Sequence, residues 1–234
     1  MVRVASHILE AIVNPAQHSV ALLLMVGTFL GGVTARSQPI SIVDPNLEAA
    51  VREELGSPDA VLTVADMQLL VSLEAPGRGI VTLDGFEGAN SLVNLDLRFN
   101  NLTTVTLPTG LTNLALLKLG GNQLTQFAMP EPLPNLHRLE LGENQLADIS
   151  FLTNAPGLTR LELPYNDLPA FNLGVYLPQL EWLDLGYNRV REMDFLSRLP
   201  QLSTLILDDN GLTSFNPTSA IRLGKQRFFG VFVS

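Results

Sequence analysis

The chain has 234 residues, is 46% hydrophobic and carries a net charge of -9 at pH 7. That size suits one ordinary domain or one short solenoid, and the acidic balance excludes the basic field that nucleic-acid binding needs and disfavours anionic membrane surfaces. Cysteine is absent, so disulfide staples and thiolate metal sites are excluded.

The first segment to read is residues 1–35. Ser19 to Val33, SVALLLMVGTFLGGV, is an uncharged run of fifteen, and Val33-Thr34-Ala35 places small residues where a signal peptidase reads. The run is shorter than the ~20 residues of a membrane span. The expectation is a signal peptide over 1–35, cleaved after Ala35 or Ser37. An uncleaved signal anchor is the alternative, because Arg3 is the only strong positive charge ahead of the run and Glu10 opposes it. Arg3 and Glu10 cancel, so losing the segment leaves the charge at -9.

Residues 36–69 read as a helical N-terminal cap. Asp44 suits a helix N-cap, Pro45 the first helical position and Gly56 the exit, with Leu47, Val51 and Leu55 on one face. A second short helix is expected from Thr63, with Asp66 three residues on as a capping-box variant and Met67 and Leu70 turned inward. Leu70, Leu73, Ala75, Arg78 and Ile80 then begin a pattern that the rest of the chain repeats.

Leu92, Leu95, Leu97, Asn100 and Leu102 recur every 22 residues through six copies without an insertion. The copies begin at Leu92, Leu114, Leu136, Leu158, Leu180 and Leu202, and only Val190 departs among thirty positions. Alternation in Leu95-Asp96-Leu97 is that of a short strand with one face buried. A unit of this size cannot own a core, so each must bury its leucines against its neighbours, with strands stacked ~4.8 Å apart in a parallel sheet. After each strand the chain turns over a dry interior, and an asparagine amide both donates and accepts there. Asn100, Asn122, Asn144, Asn166, Asn188 and Asn210 therefore read as a structural ladder that satisfies loop backbone.

The return half of each unit keeps register too. Val105, Phe127, Ile149, Phe171, Met193 and Phe215 form one apolar column, and Leu111, Leu133, Ala155, Leu177, Leu199 and Ile221 another; Leu83 and Ala89 precede them. Some returns bear proline, as in Thr106-Leu107-Pro108 and Ala128-Met129-Pro130. Others read Asp148-Ile149-Ser150-Phe151-Leu152 or Met193-Asp194-Phe195-Leu196. None has the pattern of a long amphipathic helix, so short extended or 3₁₀ pieces are expected. Beyond Ile221, Gly224 and Arg227 fall where leucines are due. Residues 222–234 then read either as a final edge strand or as an irregular, incomplete cap.

The motif L-x-x-L-x-L-x-x-N-x-L over residues 70–221 resembles the leucine-rich repeat, one degenerate copy plus six regular ones. The resemblance implies an α/β fold, a right-handed, gently curved solenoid with a parallel concave sheet. The helical cap and the Asp148–Leu152 type of return resemble the exported internalin-type proteins of bacteria. That resemblance concerns fold and export. The family's immunoglobulin-like linker domain and wall-sorting tail have no counterpart here, so host-receptor binding is not carried over.

Function would sit on the concave face, between the strand leucines. One column reads Asp96, Lys118, Glu140, Glu162, Asp184, Ile206, and the column before it Asn94, Leu116, Arg138, Arg160, Trp182, Thr204. Beyond the strands stand Phe99, Gly121, Glu143, Tyr165, Tyr187 and Asp209. Glu140, Glu162 and Asp184 would form a like-charge ladder on adjacent strands, which costs stability. Trp182, Tyr165 and Tyr187 add aromatics beside Arg138 and Arg160, residue types enriched at interface hot spots. The expected partner is a protein or peptide of basic character; a glycan stacked on Trp182 and Tyr187, or a merely solvated face, is the alternative. Calcium lacks the flexible oxygen-rich loop it needs. No cofactor is expected, nor a membrane contact beyond an anchor at the N-terminus. His7 and His18 lie in the export segment and His137 at a strand entrance, with no thiol nucleophile anywhere, so no catalytic relay is legible. Gly120, Gly142 and Gly186 are not a phosphate loop, since no lysine follows. An intracellular phosphatase-regulating repeat protein shares the 22-residue period but conflicts with the export run.

Overall fold

The computed structural model describes residues 38–58, 60–171, 176–212 and 227–229. The segment expected to be a signal peptide, Phe215, Ile221 and most of the C-terminal tail lie outside them. Among the described residues, eight three-residue strands form one parallel sheet. They are β1 (Ser72–Glu74), β2 (Asn94–Asp96), β4 (Leu116–Lys118), β6 (Arg138–Glu140), β7 (Arg160–Glu162), β8 (Trp182–Asp184), β9 (Thr204–Ile206) and β10 (Arg227–Phe229). Two more, β3 (Thr104–Thr106) and β5 (Gln126–Ala128), pair on the opposite side of the coil. We number the coils one to six from Leu92, with β1 in a leading coil.

Register follows the 22-residue period. Leu73 stands opposite Leu95, then Leu117, Leu139, Leu161, Leu183 and Leu205 in turn. All of these leucines are buried in one continuous core that runs from Ile42 in the cap to Leu212. Only at the last strand does the period slip. Phe228, and not Arg227, pairs opposite Leu205, so the spacing to the last strand is one residue longer than the repeat.

The asparagine ladder binds each coil to the one before it. Asn144 shows the pattern: its Oδ1 accepts from Leu124 N at 2.9 Å, while Nδ2 donates to Leu119 O, Leu141 O and Gly142 O at 3.0–3.2 Å. Asn122, Asn166, Asn188 and Asn210 bond the equivalent backbone groups. Asn100 does the same for the leading coil, taking both Arg78 N and Ile80 N on its oxygen. In the leading coil, where Arg78 takes the ladder position, its side chain turns outward to pair with Glu53 at 2.7 Å.

The two return types fold differently. The proline-bearing returns of coils one and two are the extended β3 and β5. The Asp/Glu-x-Ser/Asp-Phe-Leu returns of coils three and five are 3₁₀ helices, Ser150–Asn154 and Asp194–Arg198. Each 3₁₀ turn drives a phenylalanine onto the ring of the preceding coil. Phe127 meets Phe151, and Phe171 meets Phe195, edge to face at 4.9 Å and 75° in both pairs.

At the N-terminal end, α1 (Pro45–Glu54) and the single turn α2 (Val64–Met67) cover the leading coil. Thr63 and Asp66 form the reciprocal capping box. Asp44 has two roles. One carboxylate oxygen caps α1 through Asn46 N and Leu47 N at 2.8 and 3.1 Å; the other accepts from Val81 N and Thr82 N of the leading coil at 2.6 and 3.4 Å. Its side chain is only 2% exposed. Burial opposes its charge, but the four backbone donors outweigh that cost and hold the carboxyl below its ordinary value of 3.8.

Two stability predictions follow from these polar staples. Asn144→Ala should lower the unfolding free energy by ~2–4 kcal/mol in a urea melt, because it strands buried backbone groups; a loss under about 0.5 kcal/mol would contradict the ladder's role. Asp44→Ala should cost ~2–3 kcal/mol at pH 7. A depressed folded pKa contributes stability above the unfolded value of 3.8 and loses it as pH falls further. The gap between the two proteins should therefore narrow in melts below that pH.

Candidate functional site

The open face of the long sheet carries two side chains per strand. Its two halves differ. In coils one and two, Asp96 is buried and not open, since Arg98 grips it through both carboxylate oxygens and Lys118 lies 3.6 Å away. Burial works against its charge, and the Arg98 hydrogen bonds with the Arg98 and Lys118 charges reverse this, so its pKa is lowered. Arg98 was not singled out from the sequence, because its column otherwise holds glycine, proline and aspartate.

In coils three to five the expected ladder is in register: Glu140 pairs opposite Glu162 and Glu162 opposite Asp184. Arginines interleave with it. Arg138 reaches Glu140 at 2.7 Å and Glu162 at 3.1 Å, and Arg160 holds Glu162 at 2.6 Å. The repulsion expected of three stacked acids is thus compensated at two of them. Asp184 differs. It accepts from Gly186 N at 2.9 Å but has no ion pair among the described residues. Burial, and then the charges of Glu162 and Asp208, raise its pKa.

The aromatics gather beside these acids. The Arg160 guanidinium lies over the Trp182 ring, 4.2 Å from its centroid. Tyr165 and Tyr187 stack with centroids 4.1 Å apart and planes 7° from parallel, although they are 50% and 44% exposed. Hydrogen bonding to Tyr165 and Asp209 pushes the Tyr187 phenol up to about 12. Phe99 stands alone at the other end, 59% exposed, with its ring over Gly121, where a Cβ would lie 2.3 Å from it.

These side chains project from a backbone feature that the sequence did not disclose. Phe99, Glu143, Tyr165, Tyr187 and Asp209 all have φ between 47° and 58°, and Gly121 has 68°. The residue before each ladder asparagine must enter the left-handed region so that the chain can turn over the core. Glycine or asparagine adopts this conformation readily, whereas a bulky residue does so at a cost of ~1–2 kcal/mol. Two tyrosines, a phenylalanine and two acids occupy the row at that cost. Elsewhere, His137 is exposed with Nδ1 3.2 Å from Gly157 O, and among the described residues no three histidine or acidic side chains are grouped to hold a metal ion.

The fold and the asparagine ladder define a leucine-rich-repeat solenoid. No protein-family model matches the chain, and no curated protein matches its sequence. Solved structures do match. An internalin of Listeria monocytogenes, inlF, superposes with a TM-score of 0.57 at 21% identity over 84% of this chain and 68% of its own. Internalin C2 of the same organism gives 0.54 at 26%, over 83% of this chain and 100% of its own. A leucine-rich-repeat protein of Leptospira interrogans gives 0.58 at 30%, over 65% of this chain and 41% of its own.

Asp184 supplies a check on this electrostatic picture. A folded pKa raised above 3.8 means that its ionisation opposes folding, so stability is lost as pH rises through the folded value. Asp184→Asn should therefore be more stable than the parent at pH 7, by about 0.5 kcal/mol. The difference should vanish in melts below the ordinary aspartate range. A less stable variant at pH 7 would contradict the assignment.

Proposed function

We propose that this chain is an exported, non-enzymatic binding module that engages a protein or peptide across the concave face of coils three to five. The observation that carries this reading is the stacked Tyr165–Tyr187 pair, held half-exposed on left-handed backbone in the same coils as Arg160 and Trp182. Backbone strain retained by solvent-facing aromatics costs the fold stability, and strain of this kind clusters at ligand sites. Large, rigid aromatics flanked by arginine and acid supply contact area at small entropic cost. The likeness to internalins and other leucine-rich-repeat proteins is in keeping with a module of this kind. Export rests on the uncharged run Ser19–Val33 and the small residues Val33-Thr34-Ala35.

A glycan on the same platform has less support. Trp182 already carries Arg160 on one face, and Tyr165 and Tyr187 cover one face of each other, so half of the stacking surface a sugar would use is taken. Repeat proteins that regulate intracellular phosphatases share the period, but the export run argues against that setting.

Selection of a random peptide library on the immobilised full chain tests the face. Enriched peptides should bind the parent and fall at least tenfold on the Trp182→Ala/Tyr187→Ala double variant. Tyr187→Gly, which relaxes the backbone, should fold at least as stably as Tyr187→Ala yet bind no better. Peptides indifferent to the double variant would remove the concave-face reading. For export, N-terminal sequencing of the secreted product should begin at Arg36 or Gln38; an intact N-terminus in the cytoplasm would refute it.

A further inference from the structure

Internal repetition makes one position on this face stand out. In coils three and four the strand reads Arg-Leu-Glu, and the arginine at its first position serves the acid at its third: Arg138 with Glu140, Arg160 with Glu162. In coil five the strand reads Trp-Leu-Asp. The acid is kept, but the residue that supplied its cation is now an indole. Coil six offers Thr204 and Ile206 at the same two positions, and neither supplies a cation. Arg160, whose charge also favours the Asp184 carboxylate, makes its direct contacts with Glu162 at 2.6 Å and with the Trp182 ring.

Polar atoms around this position also stand without partners among the described residues. The Trp182 indole N–H and Asp208 Oδ1 are buried from solvent and form no hydrogen bond, whereas Arg138 Nε and Glu140 Oε1, which also lack hydrogen-bond geometry, pair as ions at 2.7 Å. Buried polar atoms of this kind are uncommon and call for a ligand or a reason. Tyr187 N donates to Asp208 O at 2.6 Å, and Asp209 lies within hydrogen-bonding reach of the Tyr187 phenol.

Resting on the concave-face reading above, we propose that Asp184 and Asp208, beside Trp182 and Tyr187, receive an arginine side chain of the protein partner, which occupies the place that Arg138 and Arg160 hold in the preceding coils. The chain itself displays the geometry of such a contact, since Arg160 lies on an indole while its Nε reaches a carboxylate. A guanidinium suits the position better than an ammonium, because its planar fork can lie on an aromatic face and donate to a carboxylate at once. The net charge of -9 complements such a partner, and it is the repeat register that singles out Asp184 from the other acids.

Trp182 is the only tryptophan in the chain, so its fluorescence reports binding at this position directly. An enriched library peptide would be synthesised with its arginine intact and with that arginine replaced by citrulline, which keeps the shape and removes the charge. The citrulline peptide should bind the parent at least tenfold more weakly. Asp184→Asn should bind the arginine peptide equally weakly and no longer distinguish the two, while a urea melt shows it folded. Glu74→Gln, in the same column at the far end of the sheet, should bind like the parent. Equal affinity of the two peptides, or full discrimination by Asp184→Asn, would overturn the assignment. Enriched peptides that need Trp182 and Tyr187 but lack arginine would overturn it while leaving the concave-face reading intact; peptides that need neither residue would remove both.

Discussion

A coil of 22 residues has an inside but no core of its own. Its leucines are buried only because another coil closes over them, and the turn after every strand carries backbone groups into that shared dry space. The asparagine ladder meets this constraint. Each amide accepts from backbone N–H of the coil before it and donates to carbonyls of both coils, so hydrogen bonding propagates in step with leucine packing. The ends are then the only places where the scheme must change. Asp44 makes the change at the N-terminal end, where one carboxylate serves a helix and a coil together.

That same turn shapes the open face of the sheet. Because the residue before each asparagine lies in the left-handed region, a row of side chains is thrown out along one border of the sheet, one per coil. Row and strand columns together give a surface three residues deep on each coil, rigidly spaced by backbone pairing. Sites built on regular elements hold their geometry better than sites on free loops. The stacked tyrosines and the Arg160–Trp182 contact are both contacts between adjacent coils, so the solenoid itself fixes their spacing.

Much of this was legible beforehand. Leucines at fixed intervals declared the core, Asp44-Pro45 and Thr63-x-x-Asp66 declared the cap, and the columns placed Glu140, Glu162 and Asp184 on neighbouring strands. Periodicity reports which residues share a face, but not what a side chain does across the face. Arg98 folding back on Asp96, Arg138 straddling two acids and Arg160 lying on Trp182 are choices of rotamer among neighbours. The left-handed row escaped notice because phenylalanine, tyrosine and glutamate are poor markers of that conformation. The register slip at Phe228 falls where Gly224 and Arg227 stand in place of the leucines that mark register elsewhere.

The two phenylalanine pairs join coil two to coil three and coil four to coil five, with the same 4.9 Å spacing and the same 75° tilt. The packing unit of the return side is thus a doublet of coils, although the strand side repeats with every coil. Excising coils three and four together would bring Phe127 against Phe195 and restore the same edge-to-face partnership. Excising one of them alone would set two like returns side by side, or leave a ring facing none.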